Sequence, residues 1–336
     1  LRIMRGNYSL INLCIVMNLQ QENFFQWWIA LRNYVSSEFK IDFVTIDSPI
    51  ISPKSELIIK NADVIFVRCV GHNINFRWYK LPFIIRRIAP NVKIIYQEDM
   101  DFTWLFIPNH YLWNDLPSEA KGKSPEEFLD ECNLLEVIDA WNIEYNPLLE
   151  QYIKKRSSKP IYHLILPQLV RYKEYLQTFS GKGELQTKIK NIALLKHSVK
   201  SASIKLPENL PRAFKIFNAE PHKGRMPQQG FMFLLRKCYI AIDDNENYKA
   251  WSRFGMECAL VHVPCIGSSP SVKLFFPELY TEHQDYNKQK ELIERLFNDE
   301  DFWLRMAKTG KENVLRIMNT AQLTNKLFQI VKRVMK

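Results

Sequence analysis

Short β-branched runs alternate with longer stretches of helical period along the whole chain, and this alternation constrains the fold more than any other feature. Runs such as INLCIVM, DVIFVRCV, KIIYQ and CYIAID are near-continuously apolar. That is the pattern of parallel strands buried on both faces, and parallel strands need crossover helices between them. In the first half the pattern predicts strands Leu10–Met17, Phe39–Ile46, Ala62–Val70 and Val92–Gln97, with helices Glu22–Val35 and Asn75–Ile88. Helical segments Phe102–Leu116 and Pro125–Leu135 follow. A strand–helix–strand set then covers Glu136–Tyr145, Pro147–Arg156 and Pro160–Leu166.

The polar stretch TFSGKGELQT, Thr178–Thr187, holds two of the ten glycines and reads as linker. The alternation then restarts. Strands are predicted at Ile189–Leu195, Ala213–Phe217, Cys238–Asp243 and Pro264–Ile266, with helices Gln229–Lys237 and Trp251–Val261. Three helices close the chain, Lys288–Asn298, Asp301–Ile317 and Thr320–Val334. The last two carry apolar residues at i, i+3 and i+4. No short repeat is present; what repeats is an α/β unit. The organisation expected is residues 1–170 as one Rossmann-like domain, 171–187 as linker, 188–319 as a second Rossmann-like domain and 320–336 as a terminal helix.

Composition narrows the chemistry. Ten glycines in 336 residues is under half the usual share of ~7%, and neither G-x-G-x-x-G nor G-x-x-x-x-G-K-[ST] occurs. Simple dinucleotide and P-loop readings are thereby removed. The net charge of +10 is uneven. Residues 1–168 carry 18 basic and 19 acidic side chains, whereas Arg171 to Lys237 alone carry 14 and 4. Either that stretch meets a polyanion, or it is a solvated basic face.

The six cysteines form no C-x-x-C pair and, like the seven scattered histidines, no zinc spacing. They read as free thiols, three of them in apolar runs, and no metal is expected. The longest apolar runs are strand-length, short of the ~20 residues of a membrane span. The opening LRIMRGNYSLINLCIVMN runs into QQENFFQWW with no small-residue cleavage site, so it reads as a first strand rather than a signal peptide. These features lead us to expect a cytoplasmic protein, soluble or peripheral to the inner membrane face.

The most informative stretch is WSRFGMECALVHVPCIGSS, Trp251–Ser269. Ser252 and Arg253 open the expected helix, where free N–H groups and a guanidinium fork suit an anion. Glu257 lies four residues on and shares a face with Arg253. A carboxylate there can accept two hydroxyl hydrogen bonds from a ribose. The following strand ends where doubly wound sheets bind ligands. An ordinary αβ unit with an Arg–Glu helix pair would look the same.

This segment resembles the donor-site segment of GT-B-fold glycosyltransferases: a Glu in a small-residue helix, a turn, then Pro and an apolar strand ending in Gly or Ser. The helix pair around KQKELIERLFNDEDFWLRMAKTGKENV and the order of two Rossmann-like halves are also similar. The resemblance covers the second half well and the first half only by pattern. It implies two Rossmann-like domains facing a cleft. It also implies transfer of a hexose from a nucleotide-sugar, such as a UDP- or GDP-sugar, with no further cofactor. By the same resemblance, Glu257 would bind the ribose and Arg253 and Lys196 the diphosphate. His197 and Ser198 would sit beside Lys196, and Asp243 would point toward the cleft. Many retaining members carry a second Glu eight positions before the ribose Glu; here that position is Lys249, and the nearest upstream acid is Glu246. Stereochemistry is therefore open.

The first half should hold the acceptor and any base. Gln97-Glu98-Asp99-Met100-Asp101 follows an apolar strand, the right place for a carboxylate that takes a proton from a hydroxyl. Asp99 is the first candidate and Asp101 the second, although Asp101 before Phe102-Thr103-Trp104 also fits an N-cap. His72 and His110 are further candidates, and Trp104 and Trp113 are candidate stacking rings. One diphosphate needs two or three cations, fewer than Arg171–Lys237 supplies. The surplus suits an anionic membrane or acidic glycan first and DNA second. A cell-surface glycan or lipid-linked acceptor is thus expected, with no protein partner. The alternatives are a DNA-modifying glycosyltransferase and a non-transferase epimerase or binding protein on the same scaffold.

Overall fold

A computed structural model describes residues 10–17, 31, 38–46, 50–68, 80–98, 122–144, 146–165, 180–194, 216–218, 228–243 and 253–336. They fall into two compact units. One holds the described residues up to 165 together with Thr320–Lys336, and the other holds residues 180–319.

The first unit is built on a six-stranded sheet of β1 (Ile11–Met17), β2 (Phe39–Thr45), β3 (Val64–Arg68), β4 (Lys93–Glu98), β5 (Ala140–Ile143) and β6 (Ile161–Tyr162). The order is β2-β1-β3-β4-β5-β6, and every pairing is parallel. The sheet is doubly wound, as the apolar runs require, and strand order reverses between β1 and β3. Helices α1 (Pro53–Lys60), α2 (Leu81–Ile88), α3 (Pro125–Cys132), α4 (Leu134–Val137) and α5 (Pro147–Arg156) connect the strands.

Two of these differ from expectation. Helix α1 was not foreseen, although Ser52 caps it, accepting from Ser55 N at 3.2 Å, and Pro53 opens it. The strand expected from Glu136 is shorter. Asn133 turns the chain at φ 51°, Leu134–Val137 forms one more helical turn, and the strand starts only at Ala140. Helix α3 has a complete capping box between Ser124 and Glu127.

The second unit has a four-stranded parallel sheet of β7 (Ile189–Leu194), β8 (Ile216–Asn218), β9 (Cys238–Asp243) and β10 (Cys265–Gly267), in the order β10-β9-β7-β8. Its helices are α6 (Lys182–Gln186), α7 (Gln228–Lys237), α8 (Phe254–Leu260), α9 (Pro270–Phe275), α10 (Tyr286–Asn298) and α11 (Glu300–Ile317). The stretch read as linker is, over 180–187, a turn and the short helix α6 with Glu184 buried. Helix α9 follows from Ser269, whose hydroxyl caps it, and from Pro270. Helix α11 buries Phe302, Trp303, Met306, Ala307 and Val314, each large side chain contributing roughly 1.5–3 kcal/mol. Gly310 is required on that face, because a Cβ there would run into the Phe276 ring.

Helix α12 (Thr320–Met335) follows the second unit in sequence and packs on the first. Its Phe328 stacks on Phe39 with ring centroids 4.3 Å apart, and Lys332 Nζ lies 2.7 Å from Glu38 Oε2.

Candidate functional site

Ligands in doubly wound sheets bind beyond the carboxyl ends of the strands, near the point where strand order reverses. In the second unit that end carries Asp243 and Gly267, adjacent in register. Asp243 is 1% exposed. Gly267 has φ 152°, and a Cβ there would collide with the Asp243 carbonyl, so only glycine lets the two strand ends approach so closely. Lys196, His197 and Ser198, expected just beyond β7, lie outside the described residues.

Helix α8 starts later than the sequence suggested. It covers Phe254–Leu260, with Arg253 in the N-cap position; Ser252 lies outside the described residues. The helix has only two turns and no side-chain cap, so any grip on an anion rests on the Arg253 fork rather than on the helix end. Arg253 is exposed, and its carbonyl accepts from Glu257 N at 2.9 Å. Every residue of α8 is buried except Glu257, which is half-buried. Gly255 sits against Ser271 of α9 with no room for a Cβ, which explains the small residue there. Behind Glu257, Cys258 and Cys265 are buried and hydrogen-bonded to each other; burial pushes both thiols up, leaving them poor nucleophiles.

At the opposite, amino end of the same sheet lies a buried ion cluster. Glu184 of α6 has Oε1 3.3 Å from Lys188 Nζ and 3.7 Å from Arg236 Nε, and Oε2 3.3 Å from His262 Nδ1. Burial alone would raise the Glu184 carboxyl; the His262 hydrogen bond and the Lys188 charge outweigh it and hold it at about 2. Burial pulls Lys188 down to about 8 against the opposing pull of Glu184, and pulls Lys311 down to about 8. His262 is also lowered by burial. Part of the basic excess of Arg171–Lys237 is thus structural: Lys188 and Arg236 serve Glu184, and Lys182 lies 3.7 Å from Glu300.

In the first unit, Thr45, Met17, Arg68, Gln97, Asn142 and Tyr162 form one row across the carboxyl end of the sheet. Arg68, beside the switch point, is wholly buried, as are Gln97 and Asn142. Asn142 Nδ2 donates to Gln97 Oε1 and, at 2.9 Å, to Leu164 O, while its Oδ1 accepts from Leu164 N at 2.8 Å. The amide thus pairs with Leu164 as a neighbouring strand would. Sequence reasoning missed Arg68 and Asn142; the available signal was a lone polar residue closing an apolar strand in VIFVR and within one in AWNI. Asp99, Asp101, His72, His110, Trp104 and Trp113 lie outside the described residues.

Among the described residues no three His, Cys, Asp or Glu side chains are grouped to hold a metal, and no helix is long and apolar enough to cross a membrane.

Solved structures share this architecture along almost the whole chain. HepE of Anabaena in complex with UDP matches with TM-score 0.59 and 10% identity, over 96% of this chain and 100% of its own. A glycosyltransferase from Rickettsia africae matches with TM-score 0.56 and 10% identity, over 98% and 100%. An alpha-glucosyltransferase in complex with UDP and a 13-mer DNA matches with TM-score 0.54 and 9% identity, over 96% and 100%. The chain has the GT-B fold. At these identities the likeness is one of fold. In sequence, no family model and no curated protein matches. Within the GT-B fold the two α/β units correspond to the two Rossmann-like halves expected from the strand pattern.

Proposed function

We propose that this GT-B protein is a glycosyltransferase that moves a hexose from a nucleotide-sugar to an acceptor hydroxyl. The observation that carries the reading is α8: a buried helix whose one half-open position is Glu257, with Arg253 at its start, near the carboxyl end of a parallel sheet. A carboxylate held there suits a ribose diol, and the exposed guanidinium suits a diphosphate. Lys196, His197, Ser198 and Ser252 are proposed to complete the donor site, with Asp243 at its rim. Proteins of the same fold support a UDP-sugar over a GDP-sugar, since HepE and the alpha-glucosyltransferase were crystallised with UDP.

In the reaction the acceptor oxygen bonds to the anomeric carbon, and the bond from that carbon to the diphosphate oxygen breaks. The nucleotide leaves with the electron pair, and Asp99, or Asp101 in its place, takes the acceptor proton. The acceptor is read as a cell-surface glycan or a lipid-linked sugar, with the basic residues of 171–237 drawing the protein to an anionic surface from the cytoplasmic side. DNA is the second reading, supported by the alpha-glucosyltransferase that holds a 13-mer DNA and by the same basic residues.

Incubation with UDP- and GDP-sugars, following nucleotide release and sugar transfer, tests the activity. The reading requires release of one nucleotide that is stimulated by acceptor. Binding to none of them would overturn it. Salt-sensitive binding to duplex DNA, with no binding to anionic vesicles, would select the DNA reading.

A further inference from the structure

The far end of α8 is held in an unusual way. The C-terminal carbonyls of a helix have no partner within the helix and carry its negative pole. Here two lysines supply partners from elsewhere in the unit. Lys188, just before β7, donates to Val261 O at 3.0 Å and to Arg236 O, at the end of α7, at 2.7 Å. Lys311, from the middle of α11, donates to Leu260 O at 3.1 Å. The Lys188 side chain is wholly buried and Lys311 is 6% exposed. His262, the next residue after Val261, is held at φ 57° with its ring against Glu184. Two segments distant in sequence, the one that holds Glu184 and Lys188 and helix α11, therefore converge on the end of one seven-residue helix. A helix that short has little stability of its own, so its placement depends on what grips it.

We propose that Lys188 and Lys311 are positioning residues for the donor site: by binding the terminal carbonyls of α8 from behind, they fix the helix that presents Arg253 and Glu257. This rests on the donor reading of Arg253 and Glu257 given above. Neither lysine touches the donor; each acts through the helix. The groups facing them are Glu184, Arg236, His262 and Cys238, with the Trp303 ring 5.9 Å from Lys188 Nζ. Burial lowers both lysines to about 8, inside the window between pH 7 and 9. The cysteine is pushed up to about 11, Glu184 is held far below this window, and His262 is lowered from its ordinary value.

The test uses the full chain with UDP and GDP as probes and has two independent readouts. In Lys311→Met, which keeps the apolar stem and removes the donor, the amides of 254–260 should exchange with solvent on the order of tenfold faster, the equivalent of one hydrogen bond. The probe that binds the wild type should bind Lys311→Met on the order of tenfold more weakly, with recovery in Lys311→Arg. If Lys311→Met does not fold, the wild type decides: probe affinity should fall between pH 7 and 9, where the ammonium charges weaken. Unchanged exchange in a folded variant, or a flat affinity profile in the wild type, would overturn the inference. If the wild type binds neither probe while α8 loosens in the variant, it is the donor reading that fails and the grip on α8 that stands.

Discussion

The two units bury polar groups in opposite ways. The first buries neutral amides and one arginine at the carboxyl end of its sheet, in the row Arg68–Gln97–Asn142. The second buries an ion cluster, Glu184 with Lys188, Arg236, His262 and Lys311, at the amino end of its sheet. Ligands reach the carboxyl end, so the amino-end cluster is free to be structural: the Glu184 and Lys188 side chains are closed off from water, while Arg236 stays partly exposed. A buried carboxylate among several cations is costly to make and costlier to break. The row in the first unit instead joins Gln97, Asn142 and the Leu164 backbone by direct amide hydrogen bonds, beside the buried Arg68. The contrast is between an anchor and a floor, and each can be broken separately.

Removing the anchor should have the largest effect. Glu184→Ala leaves Lys188 buried without its carboxylate, and a loss of about 3–5 kcal/mol is expected by urea unfolding. A loss under about 1 kcal/mol would mean that the cluster is not an anchor. The same carboxyl makes the second unit acid-sensitive. Its pKa falls from the usual 4.5 to about 2 on folding, so the folded state binds fewer protons in that window. The stabilisation is present above pH 4.5 and is lost as pH drops from about 4.5 to 2. The lysines give a slope of the same sign in a second, alkaline window. Folding lowers Lys188 and Lys311 from 10.5 to about 8, so their contribution rises with pH from about 8 to 10.5. Unfolding curves across both windows, compared with Glu184→Gln, should show the acid limb flattened in the variant.

Breaking the floor should cost less. Asn142→Ala removes both bonds to the Leu164 backbone and the one to Gln97, for a loss of about 2–4 kcal/mol. If stability hardly moves, water takes over both Leu164 groups and the row is not closed. Gly267→Ala lies at the carboxyl end of the other sheet and tests the close approach to Asp243. A positive φ together with a collision against backbone should cost roughly 2–3 kcal/mol. A neutral result by thermal unfolding would show that the strand end can shift.

What the sequence made legible follows the same division. The strands could be read because buried parallel strands are almost wholly apolar, and Asp243 stood out because it closes such a run, whereas Glu257, inside α8, was singled out by its four-residue spacing from Arg253 and by the family resemblance. Helix α1 was missed between two runs that looked consecutive, despite its Ser-Pro start. The anchor could not be read at all: Glu184, Lys188, His262 and Lys311 are spread over more than a hundred residues, and nothing local distinguishes a lysine gripping a helix end from one in solvent. The segment 180–187 looked like linker because its one buried group is a carboxylate, which composition counts as exposed. Arg68, at the end of its strand, and Asn142, inside its own, are single polar residues, and only the register shows that they and Gln97 share a row.

The smallest effect on stability, and the sharpest test of function, belongs to Glu257. It is the half-open position in a buried helix, and replacing it with alanine removes a charge without opening a cavity. Stability should change by less than about 1 kcal/mol. If the carboxylate accepts the ribose hydroxyls, nucleotide binding should weaken by roughly 10–100-fold, the range for a hydrogen bond to a charged group. Calorimetric titration of UDP into the wild type and Glu257→Ala, each shown to be folded, separates the outcomes. Weaker binding at unchanged stability marks Glu257 as a ligand contact. A large stability loss with unchanged binding would move it to the side of the anchor, as one more charge whose work is to hold α8 in place.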